Sequence, residues 1–140
     1  MPYFYGSFEH ALDDRGRVAI PARYRRDLQD GGVVRVGNDG CAEIYTHETF
    51  ETETERRLGD AGGSRRSSRR VRRSFLAGAF EVELDRQGRV LLPQGIRTEC
   101  GLDGRAIVVG CGDYIEIWDP ARWESEADTL VDNEDGEAEA

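Results

Sequence analysis

Residues 8–25 read FEHALDDRGRVAIPARYR, and residues 80–97 read FEVELDRQGRVLLPQGIR. Aligned with a constant offset of 72, the two stretches are identical at nine of 18 positions. The identical pairs are Phe8/Phe80, Glu9/Glu81, Leu12/Leu84, Asp13/Asp85, Gly16/Gly88, Arg17/Arg89, Val18/Val90, Pro21/Pro93 and Arg25/Arg97. This agreement without a gap indicates a duplicated unit.

The two copies stay in step after one inserted residue. The tripeptide 43–45 then corresponds to 116–118, and Phe50 corresponds to Trp123. A unit of about 45 residues is too small to hold a core alone. Two copies packed around a pseudo-twofold axis would solve that problem.

Each copy has the same pattern of expected elements. In copy two, apolar Phe80, Val82 and Leu84 alternate with acids, the period of a half-buried strand. A glycine turn follows, then a second strand with alternate residues facing inward, then a proline that opens a short helix at its first position. We expect further strands at 33–36, 42–45, 105–109 and 114–118, and closing helices at 47–58 and 120–127. Thr46 and Asp119 are expected to cap these helices.

These patterns divide the chain into four parts and predict a mainly β fold with short helices, of the α+β class. Unit 1 spans 7–50. Residues 51–78 hold a helix, a Gly/Ser/Arg linker and a basic helix. Unit 2 spans 79–123, and 124–140 form an acidic tail that we expect to be largely disordered.

The charge of the chain is unevenly distributed. Its net charge is -9, and all 19 basic residues are arginine. Eight acids and no base follow residue 123, so the body holds 20 acids against 19 arginines. Binding of a polyanion must therefore depend on local arginine patches rather than on overall charge. The bias towards arginine alone is also typical of a GC-rich genome.

Composition disfavours an enzyme, a metal site and a membrane protein. Three scattered cysteines, Cys41, Cys100 and Cys111, suggest reduced thiols in a cytoplasm. His10 and His47 are the only histidines, so a nucleophile–histidine–acid set and a zinc site both lack residues. We find neither a signal peptide nor a run of about 20 apolar residues, and we expect no cofactor.

The arginines beside the repeated turns are the candidate binding residues. The paired N–H donors of an arginine guanidinium fit phosphate oxygens and the edge of guanine. A projecting hairpin that carries arginines is therefore a candidate DNA contact. Asp13 and Asp85, with the turn glycines Gly16 and Gly88, are expected to be mainly structural. The candidate DNA-binding residues are Arg15, Arg17, Arg23, Arg25, Arg86 and Arg89. The alternative is that each Asp–Arg pair only fastens its own hairpin.

A second basic segment follows the linker. Arginines occupy positions 65, 66, 69, 70, 72 and 73. Drawn as a helix, the segment has Val71 and Phe75 on one face and Arg66, Arg69, Arg70 and Arg73 on the other. Either an external anion relieves the repulsion between these charges, or acids of 48–55 or of the tail do so.

The chain resembles the MraZ family, within the AbrB/MazE/MraZ-like superfamily. The resemblance runs from Tyr3 to about Trp123. It rests on residues 6–25, with the motif Asp13-Asp14-Arg15-Gly16-Arg17, on the motif Phe75–Ala79, on residues 84–93 and on the helix anchors Phe50 and Trp123. The segment 59–73 and the acidic tail depart from the family pattern.

The resemblance implies a fold and a function. It implies two SpoVT-AbrB-like swapped-hairpin barrel units that pair within one chain, and ring-shaped homo-oligomers. It implies a cytoplasmic, nucleoid-associated transcription factor that binds direct repeats of double-stranded DNA in the promoter of its own division and cell-wall gene cluster. The N-terminal hairpin of the family contacts DNA, which corresponds here to Arg15 and Arg17; internal symmetry extends this expectation to Arg86 and Arg89.

A second hypothesis comes from a different class of protein. Antitoxins of the same superfamily join one hairpin barrel to an acidic tail that holds a toxin. The acidic tail of this chain fits a protein-interaction module of that kind. The duplication favours the DNA-binding regulator, since such antitoxins usually carry one unit.

Overall fold

The computed structural model describes residues 2–139, with side chains to residue 130. It is mainly β with short helices, which confirms the predicted α+β class. The strands are β1 Ser7–Ala11, β2 Arg17–Ala19, β3 Gly32–Val36, β4 Ala42–Tyr45, β5 Phe80–Val82, β6 Arg89–Leu91, β7 Arg105–Gly110 and β8 Tyr114–Trp118. The helices are α1 Ala22–Arg25, α2 His47–Asp60, α3 Arg65–Val71, α4 Gln94–Cys100 and α5 Pro120–Glu139, with a 3₁₀ turn at Arg26–Leu28 and a π-helical turn at Arg72–Leu76.

Strand pairing crosses between the two copies. Six antiparallel strands form a sheet in the order β1-β7-β8-β4-β3-β5, and β2 and β6 form a separate ribbon. The first strand of copy one, β1, therefore pairs with β7 of copy two, and β5 of copy two pairs with β3 of copy one. Each copy supplies strands that the other copy needs.

Each predicted hairpin forms, but it pairs only next to its turn. The strands on either side of each turn meet only at the isolated bridges Leu12–Val18 and Leu84–Val90, and then separate to pair across copies. Local periodicity predicts that a segment is a strand, but it does not encode which distant strand completes its backbone hydrogen bonds.

One core joins both copies. Val18, Ile20, Val90 and Leu92, predicted to face inward, are at most 1% exposed. They lie in one cluster with residues of all the long strands and with Tyr24 of α1. Neither copy buries a separate core, as expected for units this small.

Several element boundaries match the prediction closely. Strands β4 and β8 have the predicted bounds, while β3 and β7 are each one residue longer. Thr46 caps α2: its side chain accepts a hydrogen bond from the Thr49 amide at 3.1 Å, and Thr49 returns the contact. The Arg122 amide likewise donates to the Asp119 carboxylate at 3.1 Å at the start of α5.

Three local predictions need correction. Pro21 and Pro93 stand just before α1 and α4 as cap residues, with extended ψ, rather than at the first helical position. Helix α5 does not end at the predicted residue 127, and its backbone is helical to Glu139; glycine and proline, the strongest helix breakers, are absent between Ala121 and Asp135. Residue 140 lies outside the described residues.

Phe80 is the third correction, because its side chain is 49% exposed rather than facing the core. It lines an open groove of about 300 Å³ with Ile96 and Gly95. In copy one the matching positions are Phe8, Tyr24 and Arg23, where the guanidinium of Arg23 lies 5.3 Å from the Phe8 ring centre. Phe80 is uncovered because copy two has smaller residues at these positions.

Candidate nucleic-acid interface

The first turn is held by the carboxylate of Asp13. Its Oδ1 accepts hydrogen bonds from the amides of Arg15 at 3.0 Å and Arg17 at 2.8 Å, while Oδ2 accepts from Arg17 Nε at 2.7 Å. The Gly16 amide closes the turn by donating to the Asp13 carbonyl at 3.0 Å. One carboxylate thus orders the backbone of the turn and the side chain of Arg17.

The second turn repeats this arrangement. Asp85 accepts from the amides of Gln87 and Arg89, both at 2.9 Å, and from Arg89 Nε at 3.0 Å. Arg89 also reaches across, with its Nη1 donating to Asp13 Oδ2 at 3.4 Å. The two turns therefore share an ionic contact between copies.

Backbone hydrogen bonds also join the two turns. The Leu92 amide donates to the Gly16 carbonyl, and the Ile20 amide donates to the Gly88 carbonyl, both at 2.9 Å. The ribbon of β2 and β6 continues this pairing. The turns, which lie 72 residues apart in sequence, form one surface.

Two further arginines cover the turn glycines. Arg25 donates through Nε to the Ile20 carbonyl at 2.8 Å, and its guanidinium lies against Gly88. Arg97 donates to the Leu92 carbonyl at 3.1 Å and lies against Gly16. Both glycines have positive φ, a backbone conformation that favours glycine, and a Cβ at either would displace the covering guanidinium.

The outward face of the ribbon carries four side chains. Arg17 is opposite Leu91 and Ala19 is opposite Arg89, while the residues between them, Val18 and Val90, are buried. Leu91 is 57% exposed. The face thus combines two oriented guanidinium groups with one exposed apolar side chain.

The remaining candidate arginines differ in their exposure and in the contacts that their side chains make. Arg15 and Arg86 are exposed at the tips of the turns, and among the described residues neither side chain has an ionic partner. Arg23 is exposed and lies over the rings of Tyr5 and Phe8, at 5.4 and 5.3 Å from their centres. Arg25, by contrast, is half-buried and engaged with backbone.

The turn aspartates remain ionised because of their hydrogen bonds. The Arg17 amide, and then the Arg17 side chain and the Arg15 amide, lower the pKa of Asp13 despite an opposing effect of burial. The Arg89 amide, followed by the Gln87 amide and the Arg89 side chain, lowers the pKa of Asp85 in the same way. Charged carboxylates therefore hold both turns at neutral pH.

Sequence reasoning missed two residues of this surface. Leu91 is a large apolar residue on the polar side of an alternating strand, a signal that could have been recognised. Arg97 occupies the position in copy two that Arg25 occupies in copy one. Its contact with Gly16 lies between the two copies, so the sequence of a single copy does not predict it. Arg17 and Arg89 were singled out because they recur at one offset.

His10, Cys100 and Cys111 are partly or wholly buried, and His47 lies beside an acid. His10 is half-buried, and burial together with Arg25 lowers its pKa; exposed His47 contacts Glu81 at 2.8 Å. Burial raises the pKa of the Cys100 thiol to about 11 and that of Cys111 to about 12, so neither forms a thiolate readily. Within the described part of the chain, no cluster of ligand side chains fits a metal ion.

Among the described residues, no helix combines the length and the apolar character needed to cross a bilayer.

The chain is similar to proteins of one known family. The family model described as "MraZ protein, putative antitoxin-like" matches residues 3–73 and 75–140. The transcriptional regulator MraZ of Thermomicrobium roseum is 42% identical over 128 residues, covering 91% of this chain and 89% of the relative. Its namesake in Ligilactobacillus salivarius is 38% identical over 136 residues, covering 97% and 94%.

A third relative agrees with these two. The transcriptional regulator MraZ of Moorella thermoacetica is 41% identical over 121 residues, covering 86% of this chain and 84% of the relative. Together with the family match over nearly the whole length, these identities confirm the resemblance drawn from the duplicated motif: the chain belongs to the MraZ family.

Proposed function

We propose that this protein is a DNA-binding transcriptional regulator that reads a specific sequence through its joined arginine turns. The observation that carries the proposal is the ribbon of β2 and β6, which presents Arg17 and Arg89 beside the free tips Arg15 and Arg86. The relatives in this family are named transcriptional regulators.

The shape and chemistry of the ribbon support this proposal. The major groove of B-DNA admits a two-stranded β-ribbon, and its base edges distinguish all four base pairs. Arg17 and Arg89 use Nε to hold an aspartate, which leaves most of their Nη donors for guanine or phosphate. Because these side chains are already oriented, binding costs less conformational entropy.

Individual residues have different proposed roles. Arg15, Arg17, Arg86 and Arg89 contact DNA directly. Arg23, exposed on α1, reaches the sugar–phosphate backbone of the flanking DNA. For Arg25 we propose a positioning role, because its Nε donates to the Ile20 carbonyl and its guanidinium packs against Gly88.

The finer features rest on family resemblance. We propose that the two units form a swapped-hairpin pseudo-dimer, for which the pairing of β1 with β7 and β3 with β5 is the support. We propose a ring-like homo-oligomer that binds short direct repeats upstream of its own gene cluster. Several copies of one modest contact at fixed spacing would multiply affinity. Cytoplasmic, nucleoid-associated localisation follows from this role.

A titration of labelled duplexes by fluorescence anisotropy tests the proposal. One duplex carries the DNA immediately upstream of this gene, and the other is its scrambled counterpart. We expect wild type to prefer the upstream duplex, and Arg15→Ala/Arg17→Ala to lose the preference. The matched control is Arg56→Ala/Arg105→Ala, which removes two exposed arginines away from the turns.

Equal affinity of wild type for both duplexes would exclude sequence-specific reading.

The competing function, an antitoxin-like protein-interaction module, is favoured by the family description and by the acidic tail. Capture of a partner protein that depends on residues 124–140, in the absence of DNA preference, would support that module instead.

A further inference from the structure

Helix α3 and the π-helical turn carry a cluster of exposed arginines, here called the arginine surface. It consists of six residues: Arg65, Arg66, Arg69, Arg70, Arg72 and Arg73. Among residues 2–130, none of these side chains forms an ion pair or a hydrogen bond. The proposed DNA contact of the two turns does not involve these six residues.

The acids of α2 form no ion pair with the arginine surface among residues 2–130. Glu53 of α2 forms ion pairs with Arg56 and Arg57. These contacts lower the pKa of Glu53, although burial acts to raise it. The described acids of α5, such as Glu124, form no ion pair with the arginine surface. Within the described side chains, the suggested neutralisation by acids of 48–55 or of the tail is therefore absent.

The arginine surface is firmly attached to the sheet. Phe75, on the other side of the segment, is fully buried, with its ring stacked on Phe50 at 4.9 Å between centres. The guanidinium groups of Arg57 and Arg35 lie 4.1 and 4.6 Å from the Phe75 ring centre. Ser64 caps α3 through the Ser67 amide. These contacts hold the segment in place, unlike a loose basic tail.

The spacing of the charges fits a regular polyanion. Arg66, Arg69, Arg70 and Arg73 recur at helical spacing, and the rise of about 1.5 Å per residue gives a stripe of roughly 10 Å. One DNA strand advances about 3.4 Å per phosphate along the duplex axis, so the stripe spans about three phosphates. Arginine forks bind phosphate oxygens in pairs, which would relieve the repulsion between neighbouring guanidinium groups.

We propose that the arginine surface binds the sugar–phosphate backbone of duplex DNA, without regard to sequence, in addition to the contact made by the turns. This inference rests on the proposed DNA-binding function. In this proposal α3 adds affinity for any DNA duplex, and the ribbon distinguishes one base sequence from another. Phosphate contacts position a protein on DNA, whereas base contacts specify the sequence.

The test compares two triple variants with the same change in charge. Arg66→Gln/Arg69→Gln/Arg73→Gln alters the arginine surface, and Arg26→Gln/Arg56→Gln/Arg105→Gln alters three exposed arginines elsewhere. Full-length proteins are titrated with the upstream and scrambled duplexes over a salt series. Circular dichroism melting checks that all variants fold, as expected for surface positions.

We expect the arginine-surface variant to bind both duplexes about ten- to a hundredfold more weakly, and to lower the slope of log K against log salt by about two to three. The ratio between the duplexes should stay at the wild-type value. The control should keep the wild-type slope. A slope of the arginine-surface variant equal to that of the control would overturn the inference.

Other outcomes separate this inference from the proposed function. If wild type binds both duplexes equally and the arginine-surface variant binds neither, the backbone contact stands and sequence reading fails. If truncation of residues 131–140 strengthens DNA binding by wild type while the triple substitution has no effect in the full chain, the tail occupies the surface and the inference fails. Binding to neither duplex overturns both.

Discussion

At the scale of single residues, the turn aspartates link structure to pH. The pKa of Asp13 and Asp85 is lowered in the folded chain, so their contribution to stability is fully present above the ordinary Asp value of about 3.9. It is lost as the pH falls through the lowered pKa, because protonation removes the acceptor charge. Both turns should therefore stay intact at mildly acidic pH.

An NMR titration checks this expectation. The amide signals of Arg15 and Arg17, which donate to Asp13, should shift with a midpoint below about pH 3.9. Asp13→Asn is the control, and its Arg17 amide should no longer follow that titration. A wild-type midpoint above the ordinary Asp value would contradict the geometry, since it would require a carboxylate that is not stabilised.

The turn arginines should divide into binding and structural residues. Arg15→Ala removes an exposed side chain, so we expect an unchanged melting temperature and weaker DNA binding. Arg25→Ala removes the hydrogen bond to the Ile20 carbonyl and the cover of Gly88, and should destabilise the fold by about 1 kcal/mol. Thermal melting and anisotropy of both variants, with Arg97→Ala as the symmetric control, check the division. Equal stability of Arg15→Ala and Arg25→Ala would refute it.

The buried ion pair between Arg35 and Glu43 is the other sensitive contact. Their side chains lie 2.8 Å apart and are almost wholly buried, and Arg35 Nε has no hydrogen-bond partner among the described residues. Glu43→Ala would leave a buried charge uncompensated, which should destabilise the fold by roughly 3 kcal/mol. The double variant Arg35→Met/Glu43→Leu should recover most of that loss in a denaturant titration. If the double variant is no more stable than Glu43→Ala, the unpaired charge is not the cause.

At the scale of elements, the start of α2 offers a clear prediction. Thr46 and Thr49 bond each other's backbone amides in a buried capping box. Thr46→Ala should therefore destabilise the protein by about 1 kcal/mol, while Thr46→Ser should retain most of the cap. Chemical denaturation of the two variants measures the difference. Equal midpoints would show that the cap contributes nothing.

Much of the element pattern can be predicted because it is local. Strands β4 and β8, the caps at Thr46 and Asp119, and the inward side of the ribbon strands follow from periodicity and capping chemistry. The repeat also identifies Arg17 and Arg89 as paired positions. The sequence contains these signals within a few residues of each element.

The remainder depends on contacts between distant segments. The exposure of Phe80 follows from Gly95 and Ile96, which are smaller than Arg23 and Tyr24 at the matching positions, and this difference matters only once these segments meet. The structural role of Arg25 depends on Gly88 of the other copy. Likewise, the pairing of β1 with β7 cannot be derived from the pattern of either strand.

At the scale of the whole molecule, the copies should depend on each other for folding. A protease site inserted between Gly62 and Gly63, where a Cβ added to either glycine would meet no atom within 4 Å, should be cut without loss of structure. We expect the two fragments to elute together and keep the native circular dichroism spectrum. The fragment 1–62 alone should be unfolded as a monomer, because β1 would have no partner strand, and β3 and β4 would pair only with each other. A folded, monomeric 1–62 fragment would contradict the crossed pairing.

The same crossed pairing has a consequence during synthesis on the ribosome. Strand β1 is among the first segments to emerge, yet its partner residues, Arg105–Val109, are made about 100 residues later. Until then, the nascent first copy carries unpaired strand edges, the kind of surface that promotes aggregation. Contacts so distant in sequence also slow folding. We therefore expect the half-made chain to bind chaperones and the finished chain to release them.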